Sequence, residues 1–102
     1  MVNVEKLNNV VTIKIEGSFK FNYFKIFKDG YSPYIDNKDL TFVLDFSKVE
    51  FVDSSALGML LIFREEVMKD NSRKSAIKII RAIPEVSNIL NIANFGKLFE
   101  VL

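Results

Sequence analysis

The chain of 102 residues contains neither cysteine nor histidine. Without thiols or imidazoles it cannot form disulfides, build the usual zinc sites or run Ser-His-Asp and Cys-His chemistry, and only carboxylates remain as ligands for hard metals. Tryptophan is absent too, with only two prolines and four glycines, and no low-complexity stretch or flexible linker interrupts the chain. Neither sign of charge dominates: 14 basic and 13 acidic residues leave a formal net charge of +1. No basic stripe that could track phosphates is visible, so nucleic acid is not an expected partner. The longest apolar run, residues 56–63, is far too short to span a bilayer, and Met1-Val-Asn-Val-Glu-Lys6 reads as neither a signal peptide nor a transit segment. A cytoplasmic location with no membrane partner is expected.

What is present is apolar volume. Hydrophobic residues make up 49% of the chain and charged ones 26%, with ten phenylalanines. A domain of this size buries roughly two thirds of its unfolded surface and folds without staples, so residues 1–102 are read as one domain.

Periodicity places the elements. Residues 10–16 alternate apolar and polar positions and are rich in β-branched types, predicting a strand ended by Gly17, with a shorter strand at residues 2–7 beside it. Tyr23, Phe24 and Phe27 recur at helical spacing over residues 22–28, and Gly30 is expected to provide a left-handed stop before a loop through Pro33. Thr41-Phe-Val-Leu-Asp45 is almost wholly apolar, the pattern of a central strand covered on both faces. The longest helix is expected from 54 to about 71, with Leu57, Leu60, Leu61, Val67 and Met68 at helical spacing and Arg64 and Lys69 outside. Ala76-Ile-Lys-Ile-Ile80 predicts a further strand, Pro84 opens a helix over 85–93 with Val86, Ile89 and Leu90 on one stripe, and residues 98–102 close the chain as a strand after Gly96. Strands and helices in this order demand right-handed crossovers and a partly parallel sheet with helices packed on it.

The chemistry-bearing segment is Phe51-Val-Asp-Ser-Ser-Ala-Leu-Gly58. Asp53, Ser54 and Ser55 stand where the central strand's loop becomes the long helix, and such residues accept hydrogen bonds from the first free amides. Capping explains them fully. A modified serine also fits, because a phosphate at a helix start meets free amides and the positive end of the dipole. Ala56 and Gly58 suit either close approach of a partner or packing on the sheet. Met59 and Ile62 are candidates for an exposed contact surface, with core burial the competing reading and the favoured one for Ile62. The aromatic residues between Phe19 and Tyr34 are expected to fill the core.

Other functions find less support. Ser54 or Ser55 as a nucleophile would need a base, and no Ser-x-x-Lys spacing supplies one, so no enzymatic activity is expected. Asp45, Glu50 and Asp53 match no known metal loop, and no glycine-rich phosphate loop is present, so neither metal nor cofactor is expected. A small-ligand sensor, binding at the carboxyl ends of the strands, stays open as an alternative.

Val43-Leu-Asp-Phe46 and Val49-Glu-Phe-Val-Asp-Ser-Ser-Ala-Leu-Gly-Met-Leu-Leu61 resemble the phosphorylation segment of STAS-domain anti-sigma factor antagonists, and most nearly the HsbA-like bacterial group. Gly17, Ile83-Pro-Glu-Val86 and Ile92-Ala-Asn-Phe-Gly-Lys-Leu-Phe99 extend the resemblance over the whole chain. It implies an α/β fold, a STAS-like single domain with a mixed, mostly parallel sheet of four or five strands and about three helices. It implies Ser54 as phosphoacceptor, with Asp53, Ser55, Ala56, Gly58, Met59 and Lys20 forming the switch surface. It also implies an anti-sigma factor or related effector as partner, and a serine kinase and a phosphatase acting on Ser54. Lys20 stands where related sequences usually carry aspartate, and is expected to lie near Ser54 and pair with its phosphate.

Overall fold

The computed structural model describes residues 1–69 and 77–102. Five strands, β1 (Val2–Leu7), β2 (Val10–Phe19), β3 (Thr41–Val52), β4 (Lys78–Ile80) and β5 (Glu100–Val101), stand in the sheet in their sequence order. β1 and β2 form an antiparallel hairpin, and the remaining pairs are parallel. Asn8 turns the hairpin in the left-handed region (φ 54°), which asparagine tolerates better than most side chains. Three helices fill the crossovers: α1 (Phe24–Tyr31), α2 (Ser54–Met68) and α3 (Pro84–Ile92). Each parallel strand advances one place in the same direction, so crossovers of one hand bring all three helices to one face.

The pairing register shows why that face is the core. Val4, Ile13, Leu44, Ile79 and Val101 lie side by side across the five strands, an apolar row from edge to edge. The row one residue along, Glu5, Thr12, Val43, Lys78 and Glu100, lies on the opposite face and has charged ends. Against the apolar face pack Phe27 and Tyr31 of α1, Ala56, Met59, Leu60, Phe63 and Val67 of α2, and Val86 and Leu90 of α3, in one continuous cluster. Phe63 is its centre, with edge-on contacts to Phe27, Tyr31 and Phe42 at 4.7–5.6 Å between centroids. Burial pushes the Tyr31 hydroxyl up, and its hydrogen bond to Glu66 adds to this while tying α1 to α2.

Two glycines act differently from expectation. Gly17 does not end β2: at φ +87° it sits in a bulge, where the register against β3 shifts, and the strand continues to Phe19. Gly30 is not a left-handed stop either. The helix runs through it to Tyr31, and a Cβ there would lie 2.9 Å from Val4 Cγ2, so glycine lets α1 approach β1. The α-helix begins at Phe24 and not at residue 22, because residues 21–23 form a 3-10 turn. β3 is far longer than the five residues expected, because beyond Asp45 it still pairs with the bulged end of β2. The expected helix end near residue 71 and strand start at Ala76 lie outside the described residues.

Candidate functional site

β3 ends at Val52 and α2 begins at Ser54, so Asp53 alone makes the turn. Its backbone is extended (φ −108°, ψ −178°), and its side chain caps the helix: Oδ1 accepts the Ala56 amide hydrogen at 2.8 Å. Its carbonyl accepts the first helical bond, from Leu57 N–H at 3.2 Å, and its own amide donates to the Phe19 carbonyl at 3.4 Å. Three bonds thus fix the residue before Ser54, and the third ties the helix start to the end of β2.

Ser54 and Ser55 occupy the first two positions of α2 and are both exposed. Among the described residues no hydrogen bond engages either hydroxyl. The cap is therefore made by Asp53 and not by the serines, which are left free for other chemistry.

The rest of the expected switch surface divides. Ala56 is fully buried and Met59 is only 4% exposed. Both face the sheet, which corrects the expectation that they meet a partner, because a helix start lying on a sheet turns its third and sixth residues inward. Ile62, favoured for the core, is instead 46% exposed. Gly58 does not pack on the sheet, since nothing lies within 4 Å of where its Cβ would be. The outer side of α2 beyond the serines is thus apolar: Leu57 and Gly58 are half-buried, and Leu61 and Ile62 are exposed.

Lys20 lies beside this start. Its Nζ is 5.6 Å from the centroid of the Phe51 ring, which is 45% exposed. Phe21, the next residue, is 66% exposed and stacks on Phe24 with centroids 5.8 Å apart.

Asp45, Glu50 and Asp53 do not gather. Asp45 is buried on the sheet's other face, where Oδ1 accepts the Ser47 amide hydrogen at 2.9 Å and Oδ2 lies 3.5 Å from Arg81. Burial pushes its carboxyl up, but the Ser47 hydrogen bonds and the charges of Arg81 and Lys14 outweigh this and hold it below the usual carboxylate range. Among the described residues no three acidic side chains lie close enough to share a metal ion. No helix among them is long and apolar enough to cross a membrane.

With this arrangement in view, comparison with known proteins is decisive, for the family model of the STAS domain matches residues 1–102. The chain belongs to the STAS domain family. A STAS-domain containing protein of Pseudomonas aeruginosa is 36% identical over 91 residues, spanning 89% of this chain and 86% of that one. An anti-sigma factor antagonist from Mycobacterium paratuberculosis superposes with a TM-score of 0.81 at 18% identity, over 99% of this chain and 83% of the other. The Bacillus cell fate determinant SpoIIAA in its phosphorylated form superposes with a TM-score of 0.72 at 17% identity, over 100% and 91%. At these identities the solved structures share the fold of this STAS domain, a mostly parallel five-stranded α/β sheet.

Ile62 is a candidate for an exposed contact in the sequence, but the exposure of Leu61 and of the Phe51 ring has no counterpart there. One signal for the former was present all the same: residues 56–63 form an unbroken apolar run, and a helix lying on one sheet cannot bury every side of such a run.

Proposed function

We propose that this STAS domain is a phosphorylation-switched regulator of signal transduction that controls transcription by partner switching. With Ser54 unmodified it binds an anti-sigma factor or another effector protein; with Ser54 phosphorylated by a serine kinase it is released or redirected, and a phosphatase resets it. The observation that carries this is the division of labour at the helix start. Asp53 caps α2, so the exposed Ser54 hydroxyl can be modified without removing any bond that holds the fold.

The surroundings support the reading. The apolar side of α2 at Leu57, Leu61 and Ile62 begins within one turn of Ser54, and such a patch next to a modifiable group suits docking of a protein. Phosphorylation adds about 1.5–2 negative charges beside Asp53 and opposes close packing over this surface. Gly58 leaves space there for a partner's backbone. Ser55 and Lys20 flank the modified residue, and Lys20 is the cation available to its phosphate. The domain itself catalyses nothing in this scheme.

The test is incubation of purified protein with ATP and lysate from its source, mapping of phosphate by mass spectrometry, and comparison of partners captured by wild type, Ser54→Ala and Ser54→Asp. Phosphate on Ser54, with a partner kept by Ser54→Ala and lost by Ser54→Asp, is the expected result. Absence of phosphate together with identical partners would reduce the site to a helix start and favour a constitutive or small-ligand-sensing module.

A further inference from the structure

The bulge at Gly17 carries β2 on to Phe19, which pairs with Val52 and accepts the Asp53 amide hydrogen. Lys20 follows with an extended backbone (φ −133°, ψ −178°), so it runs abreast of Asp53. Neighbouring strands lie about 4.8 Å apart and the next Cα is about 3.8 Å further on, distances that the flexible four-carbon stem of lysine spans easily. Among the described residues Lys20 has no carboxylate partner, and its ammonium rests over the half-exposed Phe51 ring at 5.6 Å.

We infer that Lys20 reads the state of Ser54: its ammonium lies on the Phe51 ring while the serine is unmodified, and transfers to the phosphate when the serine is phosphorylated. This rests on Ser54 being the modified residue. A ring face attracts a surface ammonium only weakly, whereas a phosphate dianion within reach offers nearly two full charges and three acceptor oxygens. The transfer bares the Phe51 ring. Modification then does more than repel one partner, since it uncovers an aromatic surface that the unmodified protein keeps under a charge. Lys20 is a positioning residue here and takes no part in making or breaking a bond.

The experiment uses the full chain with phosphoserine encoded at position 54 during translation, which needs no kinase. In unmodified protein the Lys20 ε-methylene protons should be shifted upfield by the Phe51 ring, and phosphoserine should abolish that shift. The phosphorus resonance should titrate below the value of roughly 6 typical of an exposed phosphoserine. Lys20→Gln should return it to that value, with a roughly two-fold lower ratio of dianion to monoanion at pH 6, a change of about 0.3 in pKa. Phe51→Leu should remove the upfield shift in the unmodified protein and leave the Lys20-dependent titration in place. Identical phosphorus titrations with and without Lys20, or a ring shift that survives phosphoserine, would overturn the inference. If mass spectrometry instead finds no phosphate on Ser54 in cells, the switch reading fails while the encoded phosphoserine still decides the role of Lys20.

Discussion

Asp53 offers the sharpest separation of stability from signalling, because one side chain makes the cap and carries the charge next to Ser54. Asp53→Ala removes the 2.8 Å bond to the Ala56 amide and leaves that donor without its partner. Loss of an N-cap costs about 1 kcal/mol, within a range of about 0.5–2. The aspartate charge at the positive end of the helix adds about 0.3–1 kcal/mol. Asp53→Ala should therefore lose about 1.5 kcal/mol, which for a domain of this size lowers Tm by roughly 6–10 °C. Asp53→Asn keeps an acceptor in the same place and should lose only the charge term, about 0.5 kcal/mol. Ser54→Ala should stay within about 0.5 kcal/mol of wild type, since among the described residues its hydroxyl makes no hydrogen bond. Urea unfolding followed by circular dichroism gives all three values with one protocol. If Ser54→Ala were as costly as Asp53→Ala, the serine would be part of the cap, and the claim that it can be modified freely would collapse. If Asp53→Ala unfolded like wild type, the hydrogen bond to Ala56 would contribute nothing.

Other substitutions test other parts of the structure. Asp45→Asn should cost about 1–2 kcal/mol, less than for a fully enclosed pair because Arg81 is largely exposed. The folded-state pKa of Asp45 lies below its unfolded value, so its contribution is complete above about pH 4 and disappears as pH falls through the folded pKa; urea midpoints of wild type and Asp45→Asn should converge in acid. Gly17→Ala places a side chain at φ +87° and 3.2 Å from the Tyr23 hydroxyl, and should cost about 1–2 kcal/mol or more by the same measurement. Met59→Ala should cost about 2–5 kcal/mol through the cavity it leaves. Ile62→Ser should change stability by about 0.5 kcal/mol or less yet weaken capture of the partner, a contrast that pull-downs beside urea curves would show. Equal stability losses for the two would contradict the burial of one and exposure of the other.

Element order and the parallel sheet are legible in the sequence, because each is written in a local signal: alternation in β2, an apolar run in β3, proline at the start of α3; a cap among Asp53, Ser54 and Ser55 is legible too, while only the structure assigns it to Asp53. Tertiary context decided what was misread. Gly17 and Gly30 carry the same residue type, yet one permits a bulge and the other a close approach of α1 to β1, and no local pattern tells these apart from a stop. Ile62 and Met59 are both apolar residues of α2, and only the angle at which the helix lies on the sheet decides which of them points inward. Lys20 comes beside Phe51 through the bulge, a register effect between segments about thirty residues apart that periodicity within either segment does not record.

The sequential order of the strands also bears on how the protein reaches its folded state. Each of β2 to β5 pairs with its immediate predecessor in the chain, so each parallel pair closes a single crossover and no strand is inserted between two others. Parallel pairing across crossovers is non-local all the same, which places the chain with mixed α/β domains, slower to fold than helical bundles. The bonds that shape the Ser54 site link only residues 19–20 with 51–57. They can form once β2, α1, β3 and the first turn of α2 have assembled, with β4 and β5 still to be added at the sheet's growing edge.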